Sequence, residues 1–240
     1  MKTLSFKLIT FDLDDTLWDM RPVLVRAEKR VKEWSKSRCP ELYQRHSIED
    51  LMALRHSVLA DHPELKHQIS QIRIEVIRRA LVACGYSHNA AEQLSREGFE
   101  VFIEARHEVE LFNETEDCLR ALAGQYTLGV LTNGNADIHR IGLGHFFSFA
   151  FSAEQLNSAK PAPDMFKAAL DAGNALPHEM IHVGDHIDHD ISGAQNIGAA
   201  TIWINAKAEV WPGKKQPDAQ VRHIGEVPAA VSELERFHRD

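Results

Sequence analysis

Uninterrupted apolar runs recur along the chain and predict buried β-strands. The four clearer runs and a weaker one, named last, are KLITFD (7–12), YTLGVLTN (126–133), MIHVGD (180–185), ATIWIN (200–205) and FSFAFS (147–152). Strands covered on both faces carry such continuous runs, whereas strands with one wet face alternate apolar and polar positions. The pattern therefore predicts a parallel sheet with helices on both sides.

Segments with helical periodicity separate these runs. They are TEDCLRALAGQY (115–126), PAPDMFKAALDAGN (161–174) and DISGAQNIG (190–198). Prolines or aspartates stand near their starts and glycines near their ends, as is typical of helix boundaries. The alternation of strands and helices predicts an α/β fold with a doubly wound, Rossmann-like parallel sheet.

The pattern changes after the first strand, where apolar residues recur at spacings of three and four. QISQIRIEVIRRALVACG (68–85) and NAAEQLSREGFEVFIEARHEVELF (89–112) show this most clearly. We expect an α/β core of residues 1–18 and 105–240 and a helical insertion of residues 19–104. An insertion after the first strand leaves the carboxyl edge of the sheet, where open α/β folds bind ligands, so it is placed to act as a lid. Residues 207–220 are predicted to form a surface loop.

Composition narrows the possible partners and compartments. The 27 Lys and Arg against 35 Asp and Glu give a net charge of −8, which argues against binding a nucleic-acid backbone. Cys39, Cys84 and Cys118 are odd in number and widely spaced, which favours reduced thiols over disulfides or structural zinc. Because no apolar run is long enough to cross a membrane, we expect a cytoplasmic protein with no membrane partner. We also expect no nucleic-acid partner, and either a monomer or a homodimer.

Polar residues cluster where the predicted strands end. Asp12, Asp14 and Asp15 directly follow the first apolar run, and three such carboxylates repel one another unless a cation lies among them. The other polar residues on this side are Thr16, Thr132, Asn133, Lys160, Asp185 and Asp190. A doubly wound sheet gathers all of them in one crevice.

This set of side chains suits a hard cation and an anionic substrate. Mg²⁺ prefers a few carboxylates together with waters and phosphate oxygens. The sequence therefore predicts a Mg²⁺ site and a phosphate ester, carried on a small phosphorylated metabolite, as the substrate.

Four motifs in order, DLDDT (12–16), LTNGN (131–135), KPAPDMF (160–166) and GDHIDHDISGA (184–194), resemble those of the haloacid dehalogenase superfamily. The resemblance implies that Asp12 is the nucleophile and forms an aspartyl-phosphate, while Asp14 is the general acid and base. It implies that Mg²⁺ is bound by Asp12, by the backbone carbonyl of Asp14 and by Asp185. Asp190 would orient the waters of the metal or Lys160.

The same resemblance implies how the phosphoryl group is held. Thr132 and Asn133 would hydrogen-bond its oxygens, and Lys160 would neutralise its charge. Thr16 and Asp15 are expected to fix the loop rather than contact the substrate.

The motifs also distinguish subclasses of the superfamily. Its true dehalogenases lack the second aspartate, because a halide leaving group needs no proton, and Asp14 is present here. FDLDDTLWDMRPVLVRAE (11–28), LTNGNADIHRIGLGHFF (131–147) and HVGDHIDHDISGA (182–194) are similar to bacterial flavin mononucleotide phosphatases. Those enzymes also act on 5-amino-6-(5-phospho-D-ribitylamino)uracil in riboflavin synthesis. One departure is His186, where these relatives carry an acidic residue.

Alternatives to this function remain open. A phosphosugar mutase uses the same chemistry, and another small metabolite such as phosphoglycolate is an alternative substrate. A non-catalytic binding module is also conceivable, although Asp12, Asp14 and Lys160 are all retained. A zinc site of His182, His186 and His189 is disfavoured, because these residues lack the fixed helical spacing of HExxH.

Overall fold

The architecture is taken from a computed structural model that describes residues 5–213 and 215–237. Residues 1–4, 214 and 238–240, which fall within the predicted core range, lie outside the described residues. The chain divides into two compact units. A core unit comprises Met1–Asp19 and Glu110–Asp240, and a helical unit comprises Met20–Val109.

The core unit is built on one parallel sheet, as the apolar runs predict. Its strands are β1 (Leu8–Phe11), β2 (Thr127–Thr132), β3 (Phe149–Ser152), β4 (Met180–Gly184), β5 (Ala200–Ile204) and β6 (Ala219–Val221). They lie in the order β3-β2-β1-β4-β5-β6. The five strands predicted from the sequence are all present, and the prediction of a doubly wound α/β core is confirmed.

The central strand β1 lies between β2 and β4. Leu8 pairs with Thr127 on one side and with Met180 on the other, and every residue of β1 is fully buried. The chain adds strands on one side of β1 and later on the other, so the direction of winding reverses there. This reversal opens a crevice at the carboxyl ends of the central strands.

Strand β6 departs from the sequence prediction, which assigned residues 207–220 to a surface loop. Ala219 and Gln220 belong to β6, which pairs with β5 at the edge of the sheet. The strand is three residues long and only Val221 in it is buried, so it carries no apolar run that a sequence pattern detects.

The helices of the core unit lie between these strands. They are α6 (Thr115–Ala123), α7 (Ile138–Ile141), α8 (Ala153–Leu156), α9 (Pro163–Ala172), α10 (Gly193–Asn196) and α11 (Val227–Phe237). A π-helical segment, Ile187–Ser192, precedes α10, so the predicted helix of residues 190–198 begins earlier and is less regular than its pattern indicates. Proline at the first position of α9 starts that helix without losing an intrahelical hydrogen bond.

The helical unit contains five α-helices and a short 3₁₀-helix, Pro63–His67, and packs around its own apolar clusters. These helices, α1–α5, span Met20–Arg38, Glu41–Arg45, Ile48–Asp61, Ile69–Ala83 and His88–Arg106. Ala27 and Val31 of α1 share a cluster with Phe102 and Ala105 of α5. The unit ends at Val109 rather than at the residue 104 expected from sequence, because α5 continues to Arg106.

None of the helices in the described part of the chain has the length and the apolar character that crossing a membrane requires.

Candidate active site

The core unit brings the polar residues of the four motifs to the carboxyl edge of its sheet. Asp12 directly follows β1, Asp185 directly follows β4, and Thr132 is the last residue of β2. Asp190 lies in the π-helical segment, and Lys160 lies in the loop between α8 and α9. Asp12, Lys160 and Asp190 are buried, and Asp185 is half-buried.

The Lys160 ammonium lies between two carboxylates. Its Nζ is 2.7 Å from Asp12 Oδ1 and 2.6 Å from Asp190 Oδ1. It also donates to the backbone carbonyl of Leu131 on β2, at 2.5 Å. Since an ammonium has three hydrogens, each of them has a protein acceptor in this arrangement.

Asn133 fixes the backbone of Lys160. Its Nδ2 donates to the Lys160 carbonyl at 2.9 Å, and its Oδ1 accepts from the Lys160 amide at 2.8 Å. The sequence predicts a phosphate contact for Asn133, whereas the structure gives its side chain a two-point contact with the lysine. The neighbouring Thr132 hydroxyl oxygen accepts from the Gly134 amide at 2.9 Å, which leaves its own hydrogen to donate.

Asp190 is held from three directions. Its Oδ1 receives Lys160 and, at 3.2 Å, His182 Nε2, while its Oδ2 accepts from the His186 backbone amide at 2.9 Å. Gly184 lets the carboxylate approach the sheet, because a Cβ added there would lie 2.4 Å from Asp190 Cγ.

Asp14 is positioned by Trp18 rather than by the carboxylate cluster. The Trp18 indole Nε1 donates to Asp14 Oδ1 at 2.9 Å, and Trp18 is fully buried. The Thr16 hydroxyl reaches Asp185 Oδ1 only at 3.5 Å, the limit of a hydrogen bond. On the other side, the Trp203 indole donates to the Asp185 backbone carbonyl at 2.8 Å. Hydrogen bonds from two buried indoles therefore hold the loops that carry Asp14 and Asp185 in place.

The electrostatics of the cluster oppose the simultaneous ionisation of its three carboxyl groups. Burial raises the pKa of Asp12 well above its ordinary value, and the attraction of Lys160 only partly opposes this. Burial, followed by repulsion from Asp190 and Asp15, raises the pKa of Asp185 to about 7. For Asp190, burial alone would raise the pKa, but Lys160 and His182 outweigh burial and hold it below its ordinary value. One ammonium thus faces three carboxyl groups, which need a further positive charge to ionise together.

A divalent cation fits this donor set. The carboxylates of Asp12, Asp185 and Asp190 each offer an oxygen, and these oxygens lie within 4.8 Å of one another. Hard divalent cations take oxygen ligands, and a charge of +2 would balance the excess carboxylates. The sequence predicts metal binding by Asp12, Asp14 and Asp185; the side chain of Asp14 lies outside this oxygen cluster, and its predicted contact is a backbone carbonyl.

The histidines near the site have other partners. His182 contacts Thr10 and Asp190, and His186 stacks on His189 with ring centroids 3.8 Å apart. His186 Nδ1 also accepts from the backbone amides of Asp188 and His189, so it caps the π-helical segment. Among the described residues, the one group suited to a metal contains only aspartates.

Comparison with known proteins agrees with the motifs. Residues 6–198 match the family model of haloacid dehalogenase-like hydrolases. The chain belongs to this family. The predictions of the superfamily and of a hydrolytic enzyme are therefore confirmed.

Relatives within the haloacid dehalogenase-like hydrolases include phosphatases. The chain is 30% identical over 227 residues to the 5-amino-6-(5-phospho-D-ribitylamino)uracil phosphatase of Escherichia coli, covering 93% of this chain and 95% of that protein. It is 28% identical to the phosphoserine phosphatase of Thermus thermophilus, covering 92% and 97%. A crystal structure of a protein named 2-haloacid dehalogenase, from Pseudomonas syringae pv. tomato, is 41% identical, with a TM-score of 0.92 over 95% of this chain and 99% of that one.

Proposed function

We propose that this haloacid dehalogenase-like hydrolase is a Mg²⁺-dependent phosphomonoesterase that works through an aspartyl-phosphate on Asp12. The observation that carries the proposal is the Lys160 ammonium, which is hydrogen-bonded to Asp12 Oδ1 at 2.7 Å and whose side chain is only 1% exposed, so that solvent screens its charge little. A carboxylate attacks an anionic phosphate only when the repulsion between them is neutralised. When bound, Mg²⁺ would supply further charge neutralisation at the transferring phosphoryl oxygens.

The residues then divide the reaction between them. A carboxylate oxygen of Asp12 forms a bond to phosphorus as the ester P–O bond breaks, and Asp14 gives its proton to the leaving oxygen. Asp14 next takes a proton from water, which attacks phosphorus and releases inorganic phosphate, restoring Asp12. The Thr132 hydroxyl is available to donate to a phosphoryl oxygen. Asn133 holds Lys160, and Asp190 holds the ammonium from the other side.

Asp14 separates this reaction from dehalogenation, the activity in the name of the relative from Pseudomonas syringae. A halide leaves without a proton, whereas an alkoxide needs one. The indole of Trp18 keeps Asp14 in a fixed position two residues after the nucleophile. A held carboxyl group at that place supports a leaving group that must be protonated.

For the substrate, we infer a ribityl phosphate or flavin mononucleotide. The support is the 30% identity to the Escherichia coli phosphatase, which extends through the helical unit since it covers 93% of the chain. We propose that this unit, inserted directly after DLDDT, acts as the cap that selects the leaving group. The phosphoryl contacts are common to all phosphate esters, so activity on several of them is expected.

The test is a panel of substrates assayed with purified protein and Mg²⁺. It contains p-nitrophenyl phosphate, flavin mononucleotide, the ribitylaminouracil phosphate, phosphoserine, phosphoglycolate and a hexose phosphate, with 2-chloropropionate as the dehalogenase substrate. We expect a ribityl phosphate among the highest kcat/KM values, phosphoserine to be poor and no chloride release. Asp12→Asn, which keeps the shape but not the nucleophile, should lose turnover while staying folded.

Other results would assign other functions. Chloride release without phosphate release would make the protein a dehalogenase, and interconversion of sugar phosphates without hydrolysis would make it a mutase. A hundredfold preference for phosphoglycolate or a hexose phosphate, equivalent to about 2.7 kcal/mol, would leave a phosphatase but remove the ribityl assignment. Phosphate release that persists in Asp12→Asn would show that Asp12 is not the nucleophile.

A further inference from the structure

A buried imidazole lies behind the carboxylates of the candidate site. His182 is in the middle of the central strand β4 and is 0% exposed. Its ring forms a T-shaped contact with Phe166, with centroids 5.2 Å apart and planes at 89°. Most other positions on β1 and β4 are apolar. A polar ring in such a place is costly unless both of its nitrogens have partners.

Both ring nitrogens of His182 have partners in the core unit. Nδ1 is 2.8 Å from the Thr10 hydroxyl on β1, and Nε2 is 3.2 Å from Asp190 Oδ1. Thr10 and His182 are opposite each other in the register of the two strands. The pleat therefore presents the hydroxyl and the imidazole on one face of the sheet.

These partners select one tautomer. An ionised carboxylate only accepts hydrogen bonds, so Nε2 must carry the hydrogen that faces Asp190. Nδ1 then accepts from Thr10, whose hydroxyl lies closer to Nδ1, at 2.8 Å, than to the Ile181 carbonyl, at 3.4 Å. The opposite tautomer would turn a nitrogen lone pair toward the carboxylate.

The contact continues from Asp190 to the proposed nucleophile. Asp190 Oδ1 accepts from both His182 and Lys160, and Lys160 donates in turn to Asp12. A displacement of Asp190 would therefore move the ammonium that neutralises Asp12. Misplacement of a charged group by about 1 Å is enough to slow a reaction substantially.

We propose that Thr10 and His182 are positioning residues, which fix an Nε2–H imidazole that holds Asp190 and, through it, Lys160 against Asp12. The proposal rests on the function proposed above, and it assigns a purpose to two residues outside the four motifs. Neither residue touches the substrate. Their effect is expected on the chemical step, and therefore on kcat rather than on KM.

Thr10 offers matched variants for the test. Thr10→Val keeps the shape of the side chain and removes the hydroxyl, and Thr10→Ser keeps the hydroxyl. Thr201→Val is the control, because Thr201 is fully buried on neighbouring β5 and its hydroxyl bonds to Asp218 rather than to the site. The tautomer is read from the ¹⁵N shifts of His182 in metal-free protein labelled at histidine, with His182→Gln supplying the assignment.

We expect Thr10→Val to keep the Nε2–H tautomer, which Asp190 requires, but to shift the ¹⁵N resonance of Nδ1, because the Nδ1 lone pair loses its hydrogen bond from Thr10. We expect kcat to fall about tenfold, equivalent to about 1.4 kcal/mol, with KM little changed. Thr10→Ser should recover most of the wild-type ¹⁵N signal and of kcat. Thr201→Val should keep both the signal and kcat even where it lowers stability. His182→Gln, which keeps an N–H toward Asp190, should retain more kcat than His182→Leu.

The activities of these variants separate this inference from the proposed function. A wild-type Nδ1 resonance and kcat in Thr10→Val, or equal loss of kcat in Thr10→Val and Thr10→Ser, would overturn it. Equal activity in His182→Gln and His182→Leu would also overturn it. Absence of phosphate release by the wild-type protein would overturn the proposed function as well.

Discussion

At the scale of single residues, Lys160 makes the hydrogen bonds that join most of the site. Its three ammonium hydrogens go to Asp12, Asp190 and the Leu131 carbonyl. Burial alone would lower its pKa, but the two carboxylates outweigh burial and raise it, so the ammonium stays charged. Any contact with a phosphoryl oxygen requires one of the three acceptors to be exchanged. We therefore regard neutralisation of Asp12 as its first task.

Asp185 makes metal affinity depend on pH. Its pKa is raised to about 7, and a carboxyl group must lose its proton before it binds a metal. We expect the apparent Kd for Mg²⁺ to fall by up to about tenfold for each unit by which the pH rises toward 7, and to level off above pH 7. Calorimetric titration at several pH values measures this, and the fluorescence of Trp203, bonded to the Asp185 carbonyl, provides a second signal.

The sign of the stability effect follows from the same raised pKa. In the metal-free protein, the contribution of Asp185 to the free energy of unfolding is fully present below its ordinary pKa of 3.8. This contribution is lost as pH rises toward the folded-state pKa of about 7. The unfolded chain releases this proton earlier than the folded chain does. Asp185→Asn, the control, should bind Mg²⁺ more weakly with a shallower pH dependence. Equal Mg²⁺ affinity of the wild-type protein at pH 5.5 and pH 8 would contradict this account.

At the scale of elements, Gly184 at the end of β4 decides how closely Asp190 approaches the sheet. In Gly184→Ala the added Cβ would lie 2.4 Å from Asp190 Cγ, so the carboxylate must shift, which disturbs its hydrogen bond with Lys160. We expect kcat to fall about a hundredfold and stability to fall by about 1–3 kcal/mol, as measured by steady-state kinetics and urea unfolding.

Gly124→Ala is the matched control for that change. Gly124 follows α6 at φ −72°, and a Cβ there meets nothing within 4 Å. Its stability should stay within about 0.5 kcal/mol of wild type and its kcat should be unchanged. If both alanine variants behave alike, the close approach of Asp190 does not matter.

The sequence predicts elements wherever a local pattern records their environment. Continuous apolar runs predict β1, β2, β4 and β5, because those strands are buried on both faces. The edge strand β3 is only half-buried and has the weaker run, and β6 is too short to show a pattern. The π-helical segment has no such signal. Its cap is the imidazole of His186, a residue that helix-start rules do not include.

Convergence of the site is predictable in part, for the same reason. Asp12, Lys160, Asp185 and Asp190 come together because each lies on the carboxyl side of the sheet. The two-point contact between Asn133 and Lys160 joins loops 27 residues apart and depends on loop geometry that spacing does not encode. Thr10 and His182 read as strand interior, although a His and a Thr inside apolar runs are a usable signal of a buried polar pair.

At the scale of the whole molecule, metal binding should stabilise the folded chain. An ion that binds only the folded state at 100 times its Kd adds about 2.7 kcal/mol. For a protein of this size we expect Mg²⁺ to raise Tm by about 5–10 °C, as measured by differential scanning calorimetry. EDTA should reverse the shift and abolish turnover, and Asp185→Asn should show a smaller shift. Full turnover in excess chelator would remove the metal from the reaction.

The central claim is that Asp12 carries the phosphoryl group. The most direct measurement is to mix the protein with Mg²⁺ and a phosphate ester, quench with acid, and map the modified peptide by mass spectrometry. Borohydride reduction converts an aspartyl-phosphate to homoserine and marks the residue. We predict the modification at Asp12, its loss in Asp12→Asn and its persistence in Asp14→Asn. Phosphate release with no modification at Asp12, or with the phosphoryl group on another residue, would contradict the account.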